Sequence, residues 1–327
     1  MPVQATPLLI DVDTGIDDAL ALLHACASPG ARLVGVSTVA GNVGLASATR
    51  NTRAVLALAR RAEIPVWPGC AEPMLRARHD ATQFHGAGGL GYAELPEPVA
   101  SPAPAHAIDA IIAAARAEPG ALALVATGPL TNIAAALLRE PALPRLVGRL
   151  VLMGGAYREG GNVTPAAEFN IWHDPEAARI VFRAFAAGGA APLIAVGLDV
   201  TRQALLRPAD LEDLARRCSG LPDAPELLRF LDDSSRHYFE TMERLTGARV
   251  FTMHDPLAVA AAIDPSLIVT QHVAVDVETA GALTSGMTVA DWRGVWGRTP
   301  NVHVAIEVEA PRFIADFLNA MERLARS

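Results

Sequence analysis

No lysine occurs among the 327 residues, and all 27 basic side chains other than histidine are arginine. That absence removes two chemistries, a lysine Schiff base and the phosphate-holding lysine of a P-loop. Cysteine is scarce. Cys26, Cys70 and Cys218 are widely spaced, form no CxxC pair and are odd in number, so no disulfide framework is expected. They read as small buried or half-buried residues of a protein in a reducing compartment. The N-terminus MPVQATPLLID lacks a basic segment followed by a long apolar one, and no run of about 18 uninterrupted apolar residues appears. Residues 184–198 come nearest, but Gly188, Gly189 and Pro192 break them. A soluble, cytoplasmic protein with no membrane partner is therefore expected. Positive charge is in deficit, with a formal net charge of −8, which argues against a nucleic-acid surface. What is present is apolar: 51% hydrophobic against 19% charged residues, enough for a large core. Length alone suggests about two domains. No linker, internal repeat or low-complexity run divides the chain, so residues 1–327 are read as one domain.

Residues 8–23, LLIDVDTGIDDALALL, organise the remainder. An apolar run, Leu8, Leu9 and Ile10, leads into Asp11, Asp13, Asp17 and Asp18, and an apolar helical pattern follows in Ala19, Leu20, Leu22 and Leu23. The order reads as buried strand, acidic loop and helix start. One aspartate there would merely favour the helix N-terminus. Four, with no basic residue among them, would repel, raise one another's pKa or hold a cation. Hard oxygen ligands on one loop suit Ca²⁺ or Mg²⁺.

Further strands are expected at 32–39, 64–67, 121–126, 149–153, 192–198, 268–278, 287–291 and 302–308, with helices between them and a closing helix at 312–325. Thr131 and Asn132 are expected to cap the helix they precede. Asp174-Pro175 and Asp255-Pro256 are each expected to start one. Alternating strands and helices predict an α/β fold, with an open, mainly parallel central sheet and helices on both faces. Asp13, Asn42, Thr127, Met153 and Asp199 all fall at or just past the C-terminal end of an expected strand. In an open parallel sheet those ends share one edge, where ligands bind. The glycine-rich stretch 76–92, which carries His85, reads as a mobile loop over some other part of the molecule, and its glycines would permit a lid. Residues 208–247 read as a more helical segment near the site. Within it Tyr238 and Met242 share one helix face, toward either a binding pocket or the core.

The opening apolar run with DVDT (11–14) is similar to the DxDxT start of haloacid-dehalogenase-type phosphohydrolases, in which the first aspartate, here Asp11, would be the nucleophile and which rely on a lysine this chain lacks. With GIDDALAL at 15–22 included, the stretch instead resembles the inosine–uridine-type nucleoside hydrolases. The same resemblance runs, in order, through VAGN (39–42), ATGPLTNIA (126–134), LMGGA (152–156), GNVTPAAEFNIWHDPEAA (161–178) and HDPLAV (254–259). Thr14 stands where that family more often has proline.

The resemblance implies a Rossmann-like nucleoside hydrolase fold. It implies cleavage of the N-glycosidic bond of purine or pyrimidine ribonucleosides by water, with a bound Ca²⁺, in a homodimer or homotetramer. By position, Asp13, Asp18, the main-chain oxygen of Thr127 and Asp255 match the metal ligands, and Asp13 doubles as the general base. Asp17 would face the ribose 2′-hydroxyl, and Asn42 would orient the base and the attacking water. Asn162, Glu168 and Asn170 match the sugar-holding set. Acidic and amide groups accept hydrogen bonds from hydroxyls, and their negative field favours an oxocarbenium-like transition state. His254, beside Asp255, is the candidate proton donor to the leaving base, and His85 a second candidate for base contact. Met153 packs under the sugar or base, or belongs to the core. Tyr238 lines the base pocket, or packs its helix on the core. His173-Asp174-Pro175 repeats His254-Asp255-Pro256, and local chemistry does not choose between them; the family pattern gives the metal ligand to the second. A modified nucleoside or related ribosyl compound, and a non-catalytic nucleoside-binding homologue, stand as alternatives.

Overall fold

A computed structural model describes residues 5–98 and 101–326. Strand β1 (Thr6–Val12) runs through the acidic loop into α1 (Ile16–Ala27), followed by β2 (Ala31–Thr38), α2 (Leu45–Leu58) and β3 (Val66–Pro68). A short α3 (Thr82–His85) lies in the glycine-rich stretch, ahead of α4 (Ala107–Ala117), β4 (Ala123–Ala126), α5 (Thr131–Arg139), α6 (Leu143–Leu146) and β5 (Arg149–Met153). Next come α7 (Phe169–His173), α8 (Pro175–Ala184), β6 (Leu193–Val196), α9 (Leu198–Thr201) and β7 (Leu205–Leu206). Then α10 (Pro208–Arg217), α11 (Ala224–Thr246), β8 (Phe251–Thr252) and α12 (His254–Ile263) lead to β9 (Ile268–Val277), β10 (Thr288–Asp291), β11 (Val302–Val308) and α13 (Ala310–Arg326).

Among the described residues, nine strands form one sheet in the order β10-β9-β11-β6-β5-β4-β1-β2-β3. From β11 to β3 every neighbouring pair is parallel. β9 runs against them, antiparallel to both β11 and β10. The expected α/β architecture with a mainly parallel sheet is the one observed. The run β3-β2-β1-β4-β5-β6 reverses direction between β1 and β4, and in such sheets the ligand crevice opens at the strand C-termini beside that reversal.

Side chains alternate between faces along a strand, and both faces here are covered. Leu8, Ile10 and Val12 of β1 enter one core with α1, α12 and α13, while Leu9 enters the other with α4, α5 and α8. β5 divides the same way, Val151 and Met153 against Leu150 and Leu152. This double burial is why the parallel strands read as near-continuous apolar runs. α1 and α12 are buried on almost every side. Their alanines, Ala19, Ala21 and Ala25 against Ala258, Ala260, Ala261 and Ala262, are small enough for two helices and a sheet to meet closely. No helix among the described residues is long and apolar enough to cross a membrane.

The more helical segment 208–247 is two helices, broken between Arg217 and Ala224 where Gly220 takes a φ of 83°. Two local expectations are corrected. Thr131 and Asn132 lie inside α5 and do not cap it. Their side chains are used elsewhere: the Thr131 hydroxyl donates to Asp174 Oδ2 at 2.7 Å, and Asn132 Nδ2 donates to Asp11 Oδ1 at 2.8 Å and to the Thr38 carbonyl at 3.0 Å. Asp255 is not the N-cap of its helix, which begins at His254 after Met253 without a side-chain cap.

Candidate active site

Four aspartates converge beside the reversal point. Asp13 follows β1, Asp17 and Asp18 open α1, and Asp255 opens α12; all four are buried. Among the described residues, Asp17, Asp18 and Asp255 each bring an oxygen within 4.8 Å of the others. The N-termini of α1 and α12 meet here, and their partial positive charge favours anions. It does not offset carboxylates held this close away from water. Burial first, and repulsion by neighbouring aspartates next, hold the Asp13 and Asp255 carboxyls well above the ordinary carboxylate range and push Asp17 up to about 7.

The donors around the cluster are amide and hydroxyl groups. Asp13 Oδ2 accepts from the Asn42 main-chain N–H at 2.7 Å, and Oδ1 accepts from Asn42 Nδ2 at 3.2 Å. The same Nδ2 reaches Asp18 Oδ2 at 3.1 Å, and Asp18 also accepts from the Gly15 N–H at 2.9 Å and the Thr127 hydroxyl at 2.7 Å. Asn42 is thus a clamp across two carboxylates, with its donors spent on them. Asp17 Oδ1 is buried without a hydrogen-bond partner. His85 Nδ1, 3.9 Å away, does not serve it, because that nitrogen accepts from the Ile16 N–H at 3.0 Å. Hard oxygens close together, one of them orphaned, with no arginine paired to them among the described residues, fit a metal site. Two glycines make the packing possible. A Cβ on Gly15 would stand 2.5 Å from His85 Nδ1 and 2.8 Å from Asn42 Nδ2, and one on Gly41 would stand 2.1 Å from Asp13 Oδ2.

A cavity of about 780 Å³ opens over the cluster. Asp17, Asn42, Thr127 and Asp255 line its floor, with Asp13 and Asp18 fully buried beneath. Met153, Asn162, Glu168 and Asn170 line the next sector. Glu168 is at the same time the N-cap of α7, accepting from the N–H groups of Asn170 at 2.9 Å, Ile171 at 3.2 Å and Gly155 at 2.9 Å. Asn170 Nδ2 donates to the Thr127 carbonyl at 2.7 Å and the Met153 carbonyl at 3.1 Å, with the Met153 sulfur 3.5 Å away. Met153 therefore faces the cavity and is also part of the core. The third sector carries His85, Tyr238, Met242 and His254. Burial is the main cause that pushes the His85 imidazole down to about 3 and the His254 imidazole down to about 4, so both rings are neutral. His254 Nδ1 lies 2.8 Å from the Thr201 hydroxyl. Tyr238 serves both of its expected ends: its ring stacks on Phe251 at 4.1 Å and it lines the cavity.

Some singled-out residues stay outside. Asp199 follows β6 but turns away, accepting from the N–H groups of Tyr157 at 2.9 Å and Arg158 at 2.7 Å. Asp174 caps α8 through the Ala177 N–H at 3.1 Å and also holds the Thr131 hydroxyl and the Met74 N–H. Asp11 faces Ser37 and Asn132, and burial pushes it up to about 7. Sequence reading missed Gln83, Phe84, Phe169, Trp172 and Arg202, which also line the cavity. Phe169 and Trp172 stand within AEFNIWHD, where only the polar residues carried a chemical signal. The glycine-rich stretch does lie over the cluster, yet it is tied down: Ala81 N–H donates to the Asn42 carbonyl at 3.0 Å, and Gly89 and Gly91, at φ of 89° and 64°, press on Asn51 and on α11.

Known proteins match the chain along nearly its whole length. A family model described as inosine-uridine preferring nucleoside hydrolase matches residues 8–315. The chain belongs to that family. It is an enzyme of the nucleoside hydrolase type. The pyrimidine-specific ribonucleoside hydrolase RihA of Enterobacter sp. (strain 638) is 38% identical over 323 residues, covering 99% of each chain. The inosine-uridine preferring nucleoside hydrolase of Leishmania major is 39% identical over 319 residues, 97% of this chain and 98% of that one. The solved purine-preferring ribonucleoside hydrolase of Gardnerella vaginalis superposes with a TM-score of 0.90 at 34% identity, over 98% of this chain and 99% of that one. The three names differ in nucleobase while the fold is shared. The phosphohydrolase alternative is set aside: Asp11, its required nucleophile, does not line the cavity.

Proposed function

We propose that the enzyme hydrolyses the N-glycosidic bond of ribonucleosides, purine or pyrimidine, to ribose and free base, with Ca²⁺ as its metal. The observation that carries this reading is the buried carboxylate cluster at the meeting of two helix N-termini, to which, among the described residues, no arginine is paired, with an unpartnered Asp17 oxygen left for a sugar hydroxyl. Asp13, Asp18, Asp255 and the main-chain oxygen of Thr127 would hold the ion. When bound, Ca²⁺ supplies charge that neutralises the cluster and makes a nearby water more acidic.

The remaining work belongs to the chain. Asp13, fixed by both donors of Asn42, takes the proton of the attacking water. Asp17 accepts a hydrogen bond from a ribose hydroxyl with its free oxygen. Asn162, Glu168 and Asn170 hold the sugar, and Met153 packs beneath it. Their negative field steadies the oxocarbenium-like ring as the C1′–N bond breaks. His254, anchored at Nδ1 by Thr201 and neutral at rest, takes up the proton that the attacking water gives up and passes it to the departing base, and His85 and Tyr238 contact that base. The hydroxide of water ends on C1′ and its proton, through these groups, on the base. We read the enzyme as a cytoplasmic homodimer or homotetramer.

The test is ribose release from a panel of ribonucleosides, after EDTA and again with Ca²⁺ restored. Metal-dependent release is the expected result and ranks the bases. Tight nucleoside binding without release would establish a binding homologue instead. Release unaffected by EDTA would remove the Ca²⁺ reading.

A further inference from the structure

Asn51 lies on α2, outside the cavity wall, and is 2% exposed. Its Nδ2 donates to two carbonyls at once, that of Gly88 at 2.8 Å and that of Thr14 at 3.2 Å. Two carbonyl acceptors require the amide nitrogen on that side, so the bridge is directional. One acceptor belongs to the acidic loop and the other to the glycine-rich stretch. Thr14 is itself tied to α2, its hydroxyl 2.6 Å from that of Thr52. Gly89 fits against this bridge with a φ of 89°, and a Cβ there would stand 2.8 Å from Asn51 Nδ2. The stretch carries His85 on the other side of the same contact, where Ile16 N–H reaches its Nδ1.

We propose that Asn51 is a positioning residue for His85. By stapling the glycine-rich stretch to the acidic loop, it keeps the imidazole against the Ile16 N–H. An Nδ1 that accepts from the main chain carries no proton, so the neutral ring has its proton on Nε2, the one donor the side chain presents in the cavity. Asn51 thereby selects the tautomer as well as the place. The proposal rests on the reading of His85 as a contact to the leaving base, and its test separates the two.

Four enzymes are compared with Ca²⁺ present: the native chain, Asn51→Leu, His85→Leu and the double variant. Asn51→Ala replaces Asn51→Leu if the larger side chain unfolds α2. Asn51→Leu is expected to lower kcat/KM about 10–100-fold, the scale of a lost catalytic alignment, while calcium affinity stays within twofold. The double variant is expected to be no worse than His85→Leu, since positioning matters only while the ring is there. Losses that multiply would overturn the proposal. A second readout does not need turnover. The imidazole ¹⁵N signals of His85 are expected to show a protonated Nε2 and an accepting Nδ1 in the native enzyme, and averaged tautomers in Asn51→Leu, with faster amide exchange across 82–91. A single Nε2–H tautomer and native exchange in the variant would overturn it even if kcat/KM fell. If His85→Leu turns over normally while the signals shift as expected, the base-contact reading falls and the positioning of the ring stands.

Discussion

His173-Asp174-Pro175 and His254-Asp255-Pro256 are the same three residues at the head of a helix, and the molecule uses them in opposite ways. Asp174 is a cap: it accepts from Ala177, Thr131 and Met74, so its oxygens are consumed holding α8 to α5 and to a surface segment. Asp255 caps nothing; α12 starts one residue earlier, and the Asp255 side chain is left free to join Asp17 and Asp18. A local motif specifies what a side chain is able to do. The neighbours that reach it first decide what it does.

The sharpest break of this comparison is Asp255→Asn against Asp174→Asn. The first is expected to abolish calcium binding and lower turnover on the order of 1,000-fold, since a ligand in a buried charge site is lost. The second keeps a capping side chain, and its calcium titration should match the native one. Reversed behaviour would exchange the two roles. The histidines come next. His254→Ala is expected to cut kcat about 100-fold or more, the usual scale of general acid loss, whereas His173→Ala, outside the cavity, should leave kcat within about twofold on the same argument. Stability separates the trios in the other direction. Asp174→Ala leaves three donors short of an acceptor, and urea unfolding should show a loss of about 3 kcal/mol with calcium affinity kept.

The smallest effect concerns the support of the second trio. His24, 4% exposed between Phe313 and Phe317, faces the Pro256 main chain, and burial, with Arg323 adding to it, pushes its imidazole down to about 4. An unfolded histidine titrates near 6.5. Above that pH neither state binds the proton and nothing changes. Between 6.5 and about 4 the unfolded chain takes a proton that the folded one refuses, so stability falls as pH falls. Between pH 7 and 5 this is on the order of 1–2 kcal/mol, and His24→Leu should lack that part of the acid limb in urea titrations. An unchanged slope would mean that His24 is not the group responsible.

Much of the fold was legible because the sheet is buried on both faces. Residues 149–153 and 302–308, read as strands from their apolar character, are β5 and β11. The acid cluster was half legible. Asp11, Asp13, Asp17 and Asp18 announce themselves by density, yet nothing local says that Asp11 turns to Ser37 and Asn132, off the cavity, while Asp17 lines it. The glycines of 76–92 read as freedom, because a glycine's permissive backbone looks the same whether it serves motion or close approach. Here Gly89 and Gly91 serve approach. Phe84, Phe169 and Trp172 carry no sequence signal for a cavity, since an aromatic residue in a loop is indistinguishable from one that packs.

From the sequence alone came the alternation of strand and helix, the carboxylate-rich turn at the first strand end, the family resemblance and the exclusion of lysine chemistry. All of these are properties of composition and short-range order, which the chain carries before it folds. The tertiary structure alone decided which aspartates meet, that Asn42 spends its donors across two of them, and that Asn51 holds the His85 stretch in place. Those are contacts between residues from 24 to more than 200 positions apart, and charge repulsion, burial and hydrogen-bond saturation act only once the sheet has brought the segments to one edge.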